Sequence, residues 1–253
     1  MTISVVVPAA GCGARAALNG NKILAPLLSR PLLWWTLRAL TAQTDFAFLD
    51  AQSSTRWAQI IEIVISVRDE ERAIVQEIHD QTKMEVPLQF ARGGLTRAES
   101  VRAAIEVANG DFVLVHDAAR PCLSIDVTQR VVQSALQYGA AIAALPADDT
   151  IKRVSIEGEE VAIQETLNRS HIYLAQTPQM FRRELLREAF DFAAQTDWQG
   201  TDCASYVEHL GRNSENRVLE SVKIVRGDAR NLKVTYADDI ARAAEWLRRT
   251  KTS

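Results

Sequence analysis

Five short apolar runs alternate with stretches of helical periodicity over the first 145 residues, and this alternation restricts the fold more than any other feature. Ile3 to Val7, Ile60 to Val67, Val86 to Ala91, Phe112 to His116 and Ala140 to Leu145 are rich in β-branched and apolar residues and read as buried strands. Between them, Pro31 to Ala42, Glu70 to Asp80, Arg97 to Ala108 and Ile125 to Tyr138 read as helices. Leu32, Leu33, Leu37 and Leu40 fall on one side of the first, and Ile74, Val75 and Ile78 on one side of the second. Strands joined by helices of this length pair in parallel through right-handed crossovers, so the expected fold is a doubly wound α/β sheet.

Residues 151–166, IKRVSIEGEEVAIQET, break that rhythm. They alternate around a Gly158 turn and predict a β-hairpin inserted into the α/β core. A two-stranded hairpin is marginal alone, so this arm needs a surface to lie on, and a second copy of the chain is a reasonable one. Beyond it, Arg183 to Ala194 and Ala204 to Leu210 read as helical, Val218 to Val225 as a strand, and Ala237 to Arg249 as a closing amphipathic helix. Ala47 to Arg56, rich in Ser, Gln and Asp, reads as a surface loop. With no repeat or linker, the expectation is a single domain over residues 1–253, with an arm at roughly 148–170.

Composition narrows the function. The chain has 253 residues, 47% hydrophobic and 24% charged, with a formal net charge of -3. That length supports a large buried core. The acidic balance argues against gripping a nucleic-acid backbone, which calls for a basic face. Cys12, Cys122 and Cys203 are far apart and odd in number, which fits reduced thiols. His79, His116, His171 and His209 make no metal-ligand spacing, so no zinc site is expected. The start, MTISVVVPAAG, lacks a basic leader, and its apolar run is too short to span a membrane. A cytoplasmic protein is expected, without membrane or nucleic-acid partners.

Three stretches carry chemistry. The first, VVVPAAGCGARAALNGNKILAPL, ends a strand in a loop with Gly11 and Gly13 and continues through Arg15 to Lys22. Such loops bind phosphates because backbone N–H groups point outward and glycine permits close approach. Ala16 occupies the place of a third dinucleotide-binding glycine, and no GK[ST] is present. An ordinary tight turn with solvated cations fits the same residues. The second stretch, GGLTRAESV, places Thr96 as a helix cap with Glu99 three residues on. That leaves Arg97 and Ser100 unexplained. The third, VLVHDAARP, carries His116 and Asp117 to the carboxyl end of a strand, where α/β sheets keep their sites. A carboxylate followed by alanines suits Mg²⁺, which takes one or two protein carboxylates and fills its shell with water and phosphate oxygens. A loop cap paired with Arg120 fits equally. Farther along, Thr150, Lys152, Arg153, Arg169, Thr177, Thr201, Asp202 and Lys233 form a scatter of groups that together could hold a second phosphorylated substrate.

Taken in order, PAAGCGAR, NKIL, GGLTRAESV, VHDAARPC, PADDTIKRV, NRSHIYLAQTPQMF, TDCASYVEHLG and GDARNLKVTYADDIARAAEWL resemble the 2-C-methyl-D-erythritol 4-phosphate cytidylyltransferase family. The likeness runs from residue 8 to about 247, and HDAARP, TPQ and NLKVT are its narrow motifs. It implies a Rossmann-like nucleotidyltransferase fold, a mostly parallel twisted sheet flanked by helices, with the inserted β-hairpin arm clasping a homodimer. The implied reaction joins CTP to a sugar-alcohol phosphate in isoprenoid precursor synthesis with Mg²⁺ as cofactor.

The resemblance also implies roles for residues. Ala9, Ala10 and Gly11 would meet CTP through backbone contacts, and Gly13, Arg15 and Lys22 would hold its triphosphate. Arg15 and Lys22 would be the catalytic cations. Gly94 and Ser100 would help recognise cytosine, Asp117 would bind Mg²⁺, and Ala118 would lie near the ribose. Thr150, Arg169 and Lys233 would bind the acceptor phosphate, the first two from the neighbouring subunit's arm. Arg120, Thr177 and Thr201 also match motif positions. Leu95 stands where the family pattern has an aspartate, Ala14 replaces a common basic residue, and asparagines precede Lys22 in place of proline. A cytidylyltransferase for another polyol phosphate, such as ribitol 5-phosphate, would use the same grip. A non-catalytic nucleotide-binding relative would have no physical need for Arg15, Lys22, Asp117 and Lys233 together.

Overall fold

The structure, a computed structural model, describes residues 1–11, 21–49, 53–213 and 221–250. In chain order it contains β1 (Thr2–Pro8), a 3₁₀ turn (Lys22–Leu24), β2 (Pro26–Leu27), β3 (Arg30–Pro31), α1 (Leu32–Leu40), β4 (Asp45–Leu49) and β5 (Thr55–Val67). A second 3₁₀ turn (Asp69–Glu71) leads to α2 (Arg72–Thr82), β6 (Leu88–Arg92), α3 (Arg97–Val107), β7 (Phe112–Val115), α4 (Ile125–Tyr138) and β8 (Ala140–Pro146). The arm follows as β9 (Lys152–Glu157) and β10 (Glu160–Thr166). A 3₁₀ turn (Arg169–His171), β11 (Tyr173–Arg182), α5 (Arg183–Gln195), α6 (Cys203–Asn213), β12 (Lys223–Arg226) and α7 (Ala237–Thr250) complete it.

The central sheet runs β12-β8-β11-β7-β1-β5, with β4 and β6 sharing the outer edge of β5. β1, β5, β6 and β7 are mutually parallel, as are β8 and β12. Alternation along β1 sorts its side chains to two faces. Ile3, Val5 and Val7 pack under α1, α2 and α4 with Leu33, Leu37, Val75, Val127 and Val131. Val6 points the other way, to Val101 and Ile105 of α3, Leu186 of α5 and Val207 of α6. A third cluster seats α7: Ala243 and Ala244 meet Leu27, Leu32, Trp35 and Val234. That contact holds the segment around Lys233 against the body.

Four expectations need correction. Ala47 to Arg56 is not a surface loop. Asp45–Leu49 and Thr55–Gln59 pair antiparallel as a β-hairpin, with Phe46 and Phe48 alternating into the core. Residues 50–52 of this stretch lie outside the described residues. Second, Tyr173–Arg182 forms β11, a strand absent from the expected set, although it carries Pro178, a residue that central strands ordinarily exclude. It lies antiparallel between β7 and β8, and its register with β8 breaks between Ala175 and Gln179, which takes Pro178 out of the ladder. The sheet is thus mostly parallel and flanked by helices, as the family resemblance implies. Third, the last strand spans Lys223–Arg226, and residues 214–220 lie outside the described residues. Fourth, Ile74 is exposed, and α2 buries His79 beside Val75 and Ile78.

The hairpin expected at residues 151–166 is present, turning at Gly158 with φ +62°, where glycine carries no steric penalty. Its cross-strand pairs Val154–Ile163 and Ile156–Val161 put four apolar side chains on one face. That face is exposed to solvent within the single chain.

Candidate active site

Three loops leave the carboxyl edge of the parallel strands and meet. Ala9 N–H donates to Ser66 O at 2.9 Å, His116 N–H to Val6 O at 2.9 Å, and Gly93 N–H to Val67 O at 2.8 Å. Their approach is close enough to require glycine: a Cβ on Gly93 would lie 2.2 Å from the Cβ of Ala10. A cleft opens there, bounded by Ala9, Ala10, Gly11, Lys22, Gly94, Ser100, Asp117, Ala118 and Lys233. Crevices of this kind at the carboxyl ends of strands are the usual ligand sites of open α/β sheets.

The GGLTRAESV stretch is built by its caps. Thr96 Oγ1 accepts Glu99 N–H at 3.1 Å, and Glu99 Oε2 accepts Leu95 N–H at 2.7 Å. The reciprocal contact thus falls one residue before the cap. Leu95 itself stands 99% exposed on the cleft rim. The buried Ser100 hydroxyl accepts Gly94 N–H at 3.1 Å and donates to Thr96 O at 3.0 Å. Ser100 therefore shapes the Gly94 loop, and one lone pair of its hydroxyl is left for a ligand donor.

Asp117 is the electrostatic centre. Its buried carboxylate receives Arg97 Nε on Oδ1 at 2.8 Å and Lys233 Nζ on Oδ2 at 2.8 Å. Arg120 Nε stands farther, 3.9 Å from Oδ2. Burial disfavours the carboxylate, but Arg97 and Lys233 outweigh it and hold Asp117 well below the usual carboxylate range. Burial likewise disfavours the Arg97 charge, and the ionised Asp117 carboxylate reverses that, with the Cys203 sulfur accepting a hydrogen bond from Arg97 Nη1 at 3.6 Å. Burial pushes the Cys203 thiol up, so Cys203 stays protonated and Asp117 is the ionised partner. Arg97 is the first residue of α3. A cation at a helix N-terminus opposes the macrodipole, and that misfit is the sequence signal that Arg97 serves a carboxylate elsewhere.

Behind Asp117 lies a buried polar relay. His116 Nε2 is 3.1 Å from Arg120 O, a pure acceptor, so Nε2 carries the proton. Nδ1 then accepts from Thr177 Oγ1 at 3.2 Å, and Thr177 Oγ1 accepts Asp117 N–H at 3.0 Å. Burial lowers His116 to about 4, so the ring is neutral. Asn231, wholly buried, donates to Thr177 O at 2.7 Å and accepts Arg120 Nη1 on its own carbonyl at 2.6 Å. Three segments remote in sequence are locked together by these contacts.

Of the residues singled out from sequence, Ala9, Ala10, Gly11, Lys22, Gly94, Ser100, Asp117, Ala118 and Lys233 share the cleft. Gly13 and Arg15 lie outside the described residues. Thr150 is exposed at the base of the arm, where Arg169 donates to Asp148 O. Neither bounds the cleft of its own chain. Thr177 acts one layer behind it. Thr201 lines a separate hollow between α3 and α5, which Arg97 also borders. Asn231 and Gln179, both inside recognised motifs, have no role assigned from sequence. Gln179 is buried in β11, where it donates to Asp202 Oδ2 at 2.8 Å and accepts Cys203 N–H at 3.1 Å, fixing the start of α6.

A model of the family IspD, 2-C-methyl-D-erythritol 4-phosphate cytidylyltransferase, matches residues 3–249. The chain belongs to this family. Among curated IspD relatives, the 2-C-methyl-D-erythritol 4-phosphate cytidylyltransferase of Bacillus thuringiensis is 36% identical over 245 residues, covering 96% of this chain and 97% of the relative. That of Bacillus pumilus is 34% identical, covering 95% and 94%. The crystal structure of the Thermus thermophilus enzyme of that name is 31% identical with a TM-score of 0.71, over 98% of this chain and all of that one. The 4-diphosphocytidyl-2C-methyl-D-erythritol synthase of Anaerococcus prevotii, at 24% identity and a TM-score of 0.76, shares the fold over 97% and 98%. Among the described residues of this IspD chain, no helix is long and apolar enough to cross a membrane.

Proposed function

We infer that this chain transfers the cytidylyl group of CTP to 2-C-methyl-D-erythritol 4-phosphate, releasing pyrophosphate, and that the cleft between the ends of β1 and β7 is where it does so. One observation carries the placement. Backbone of Ala9 to Gly11, the cation Lys22, and the charged trio Arg97, Asp117 and Lys233 converge on a single crevice.

In the proposed reaction a phosphate oxygen of the acceptor attacks the α-phosphorus of CTP in line. The new P–O bond forms as the bond to the leaving pyrophosphate breaks. The attacking oxygen is already anionic, so no general base is required. The difficulty is repulsion between two polyanions, and catalysis reduces to positioning and charge neutralisation. Lys22, with Arg15, neutralises charge growing at the α-phosphate. Ala9, Ala10, Gly11 and Gly13 offer backbone to the nucleotide, Gly94 and Ser100 to the base, and Ala118 to the ribose. Lys233 holds the acceptor phosphate. Neutral His116 fits this chemistry, since it keeps Asp117 in place and moves no proton.

Mg²⁺ fits the site through Asp117. A carboxylate has about four lone-pair positions, and Arg97 and Lys233 take one each. About two positions remain, enough for a bond to a metal, and a metal so held would neutralise phosphate charge. Among the described residues no group of three or more His, Cys, Asp or Glu side chains is placed to hold a metal ion.

A homodimer through the arm belongs to the same reading. Ile156, Val161 and Ile163 are 69%, 63% and 66% exposed on one face of the hairpin, and Tyr173, Leu174 and Ile224 are exposed near the arm's base. A partner's arm carrying Thr150 and Arg169 would complete each cleft. The deciding experiment is pyrophosphate release with CTP, Mg²⁺ and a panel of polyol phosphates. Turnover is expected with 2-C-methyl-D-erythritol 4-phosphate. Equal kcat/KM with ribitol 5-phosphate would overturn the acceptor assignment, and no release with any acceptor would overturn the reaction.

A further inference from the structure

Asn21 borders the cleft, yet its side chain turns away from solvent and is only 6% exposed. Its amide nitrogen donates to Ala9 O at 2.8 Å and to Glu71 Oε2 at 3.1 Å, and its amide oxygen accepts Ile23 N–H at 3.3 Å. An asparagine amide has two N–H donors and one acceptor oxygen, so both donors and the oxygen are engaged. Glu71 is itself buried, and its Oε1 takes the Arg68 guanidinium. A buried carboxylate persists only when it is paired and hydrogen-bonded, and here Arg68 and the Asn21 amide supply that together. Three segments therefore meet at one side chain: the end of β1, the 3₁₀ turn that begins with Lys22, and the turn between β5 and α2.

Lys22 follows Asn21 directly and faces the same cleft. A lysine has a long, flexible stem, so where its ammonium can act depends on how firmly its backbone is held. The Asn21 oxygen caps the turn carrying Lys22, and the Asn21 nitrogen ties that turn to Ala9, the backbone on the opposite wall. No other side chain type of this size fits: aspartate has no donor for Ala9 or Glu71, and serine has one donor for two acceptors.

We propose that Asn21 is a positioning residue for catalysis, locking Lys22 and Ala9 at a fixed separation through the buried Asn21–Glu71 pair, which the half-exposed Arg68 neutralises. It touches no substrate and acts through Lys22, and so rests on the role given to Lys22 above. Misplacing a reacting group by an ångström can cost on the order of 100-fold in rate.

The test is a double-mutant cycle of Asn21→Ala with Lys22→Ala, read by steady-state kinetics and circular dichroism. The expected result is a folded Asn21→Ala enzyme with kcat/KM for CTP down about 10- to 100-fold, KM for the acceptor unchanged, and no further loss on adding Asn21→Ala to Lys22→Ala. A wild-type Asn21→Ala enzyme beside a crippled Lys22→Ala enzyme would overturn the lock alone. The same factor lost in both backgrounds would reduce Asn21 to a general structural role and overturn it equally. Wild-type turnover by Lys22→Ala would sink the lysine's role and the lock with it. If Asn21→Ala does not fold, Glu71→Gln replaces it: a smaller loss for CTP that vanishes in the Lys22→Ala background is expected, and its persistence there overturns the proposal.

Discussion

The ammonium of Lys233 lies 2.8 Å from Oδ2 of Asp117, joining the loop before α7 to the end of β7. The two partners differ in solvation: Asp117 is buried, whereas Lys233 is 42% exposed. The pair therefore separates stability from activity. Asp117→Asn keeps the shape but strips the charge that offsets Arg97, and loss of one partner of a buried pair costs about 3 kcal/mol. Lys233→Met removes a half-solvated cation, and the stability change is expected to stay under about 1 kcal/mol. Both variants are expected to lose on the order of 100-fold or more in turnover. Urea unfolding beside steady-state kinetics checks this. A Lys233→Met enzyme as destabilised as Asp117→Asn would contradict it.

His116 predicts an acid limit to stability. Its ring is lowered from 6.5 to about 4 in the folded state, so between those values the unfolded chain binds the proton and the folded chain does not. Stability contributed by neutral His116 is then complete above about pH 6.5, falls as the pH drops through that window, and levels off below about pH 4, for a total of roughly 3 kcal/mol. Asp117 adds its own loss farther down, because its folded pKa is depressed below the usual carboxylate value. In His116→Gln the slope between pH 6.5 and 4 is expected to shrink, even though the variant is less stable at pH 7. Tm measured from about pH 4 to 8 for both proteins decides the matter.

Asn231 couples the relay to Lys233, two residues along. Asn231→Ala leaves the buried Thr177 carbonyl without its donor, which costs about 1–3 kcal/mol. It also loosens the segment that presents Lys233. The expected kinetic signature is a raised KM for the acceptor phosphate with the CTP constants less affected. An equal rise in both would assign Asn231 to overall stability only.

The strand–helix alternation made the parallel half of the sheet legible, because Ile3 to Val7 or Phe112 to Val115 can be nothing but buried strands flanked by helices. β11 stayed hidden for a physical reason: its Pro178 sits where the register with β8 breaks, and local chemistry does not reveal where a ladder tolerates an interruption. Phe46 and Phe48 did alternate, but the Asp, Gln and Ser residues that follow them in sequence masked the hairpin. At the site, Lys22, Asp117 and Lys233 were readable as charges within motifs. The pairing of Asp117 with Lys233 was not, since more than a hundred residues separate them. Asn21, Thr177 and Asn231 carry ordinary amides and hydroxyls, and only burial distinguishes them from surface residues of the same type.

The arm offers the most direct check on how the cleft is completed. Thr150 and Arg169 lie at its base, outside the cleft of their own chain, whereas Lys233 lies inside. If the arm crosses to a second copy, each site draws Lys233 from one subunit and Arg169 from the other. Arg169→Ala and Lys233→Ala should each be inactive as homodimers. Mixed and allowed to exchange, they form heterodimers in which one cleft has both residues intact and the other has neither. With equal amounts and random pairing, half the dimers are mixed, and the recovered rate is about a quarter of the wild-type value. If Arg169 serves its own subunit, the mixture contains no intact site and stays inactive. Ile156→Asp with Ile163→Asp should abolish the recovery by charging the apolar face of the hairpin, and sedimentation should then report monomers with unchanged circular dichroism. Recovery that survives those substitutions would place the exchange of residues, and the dimer itself, on some surface other than this face of the arm.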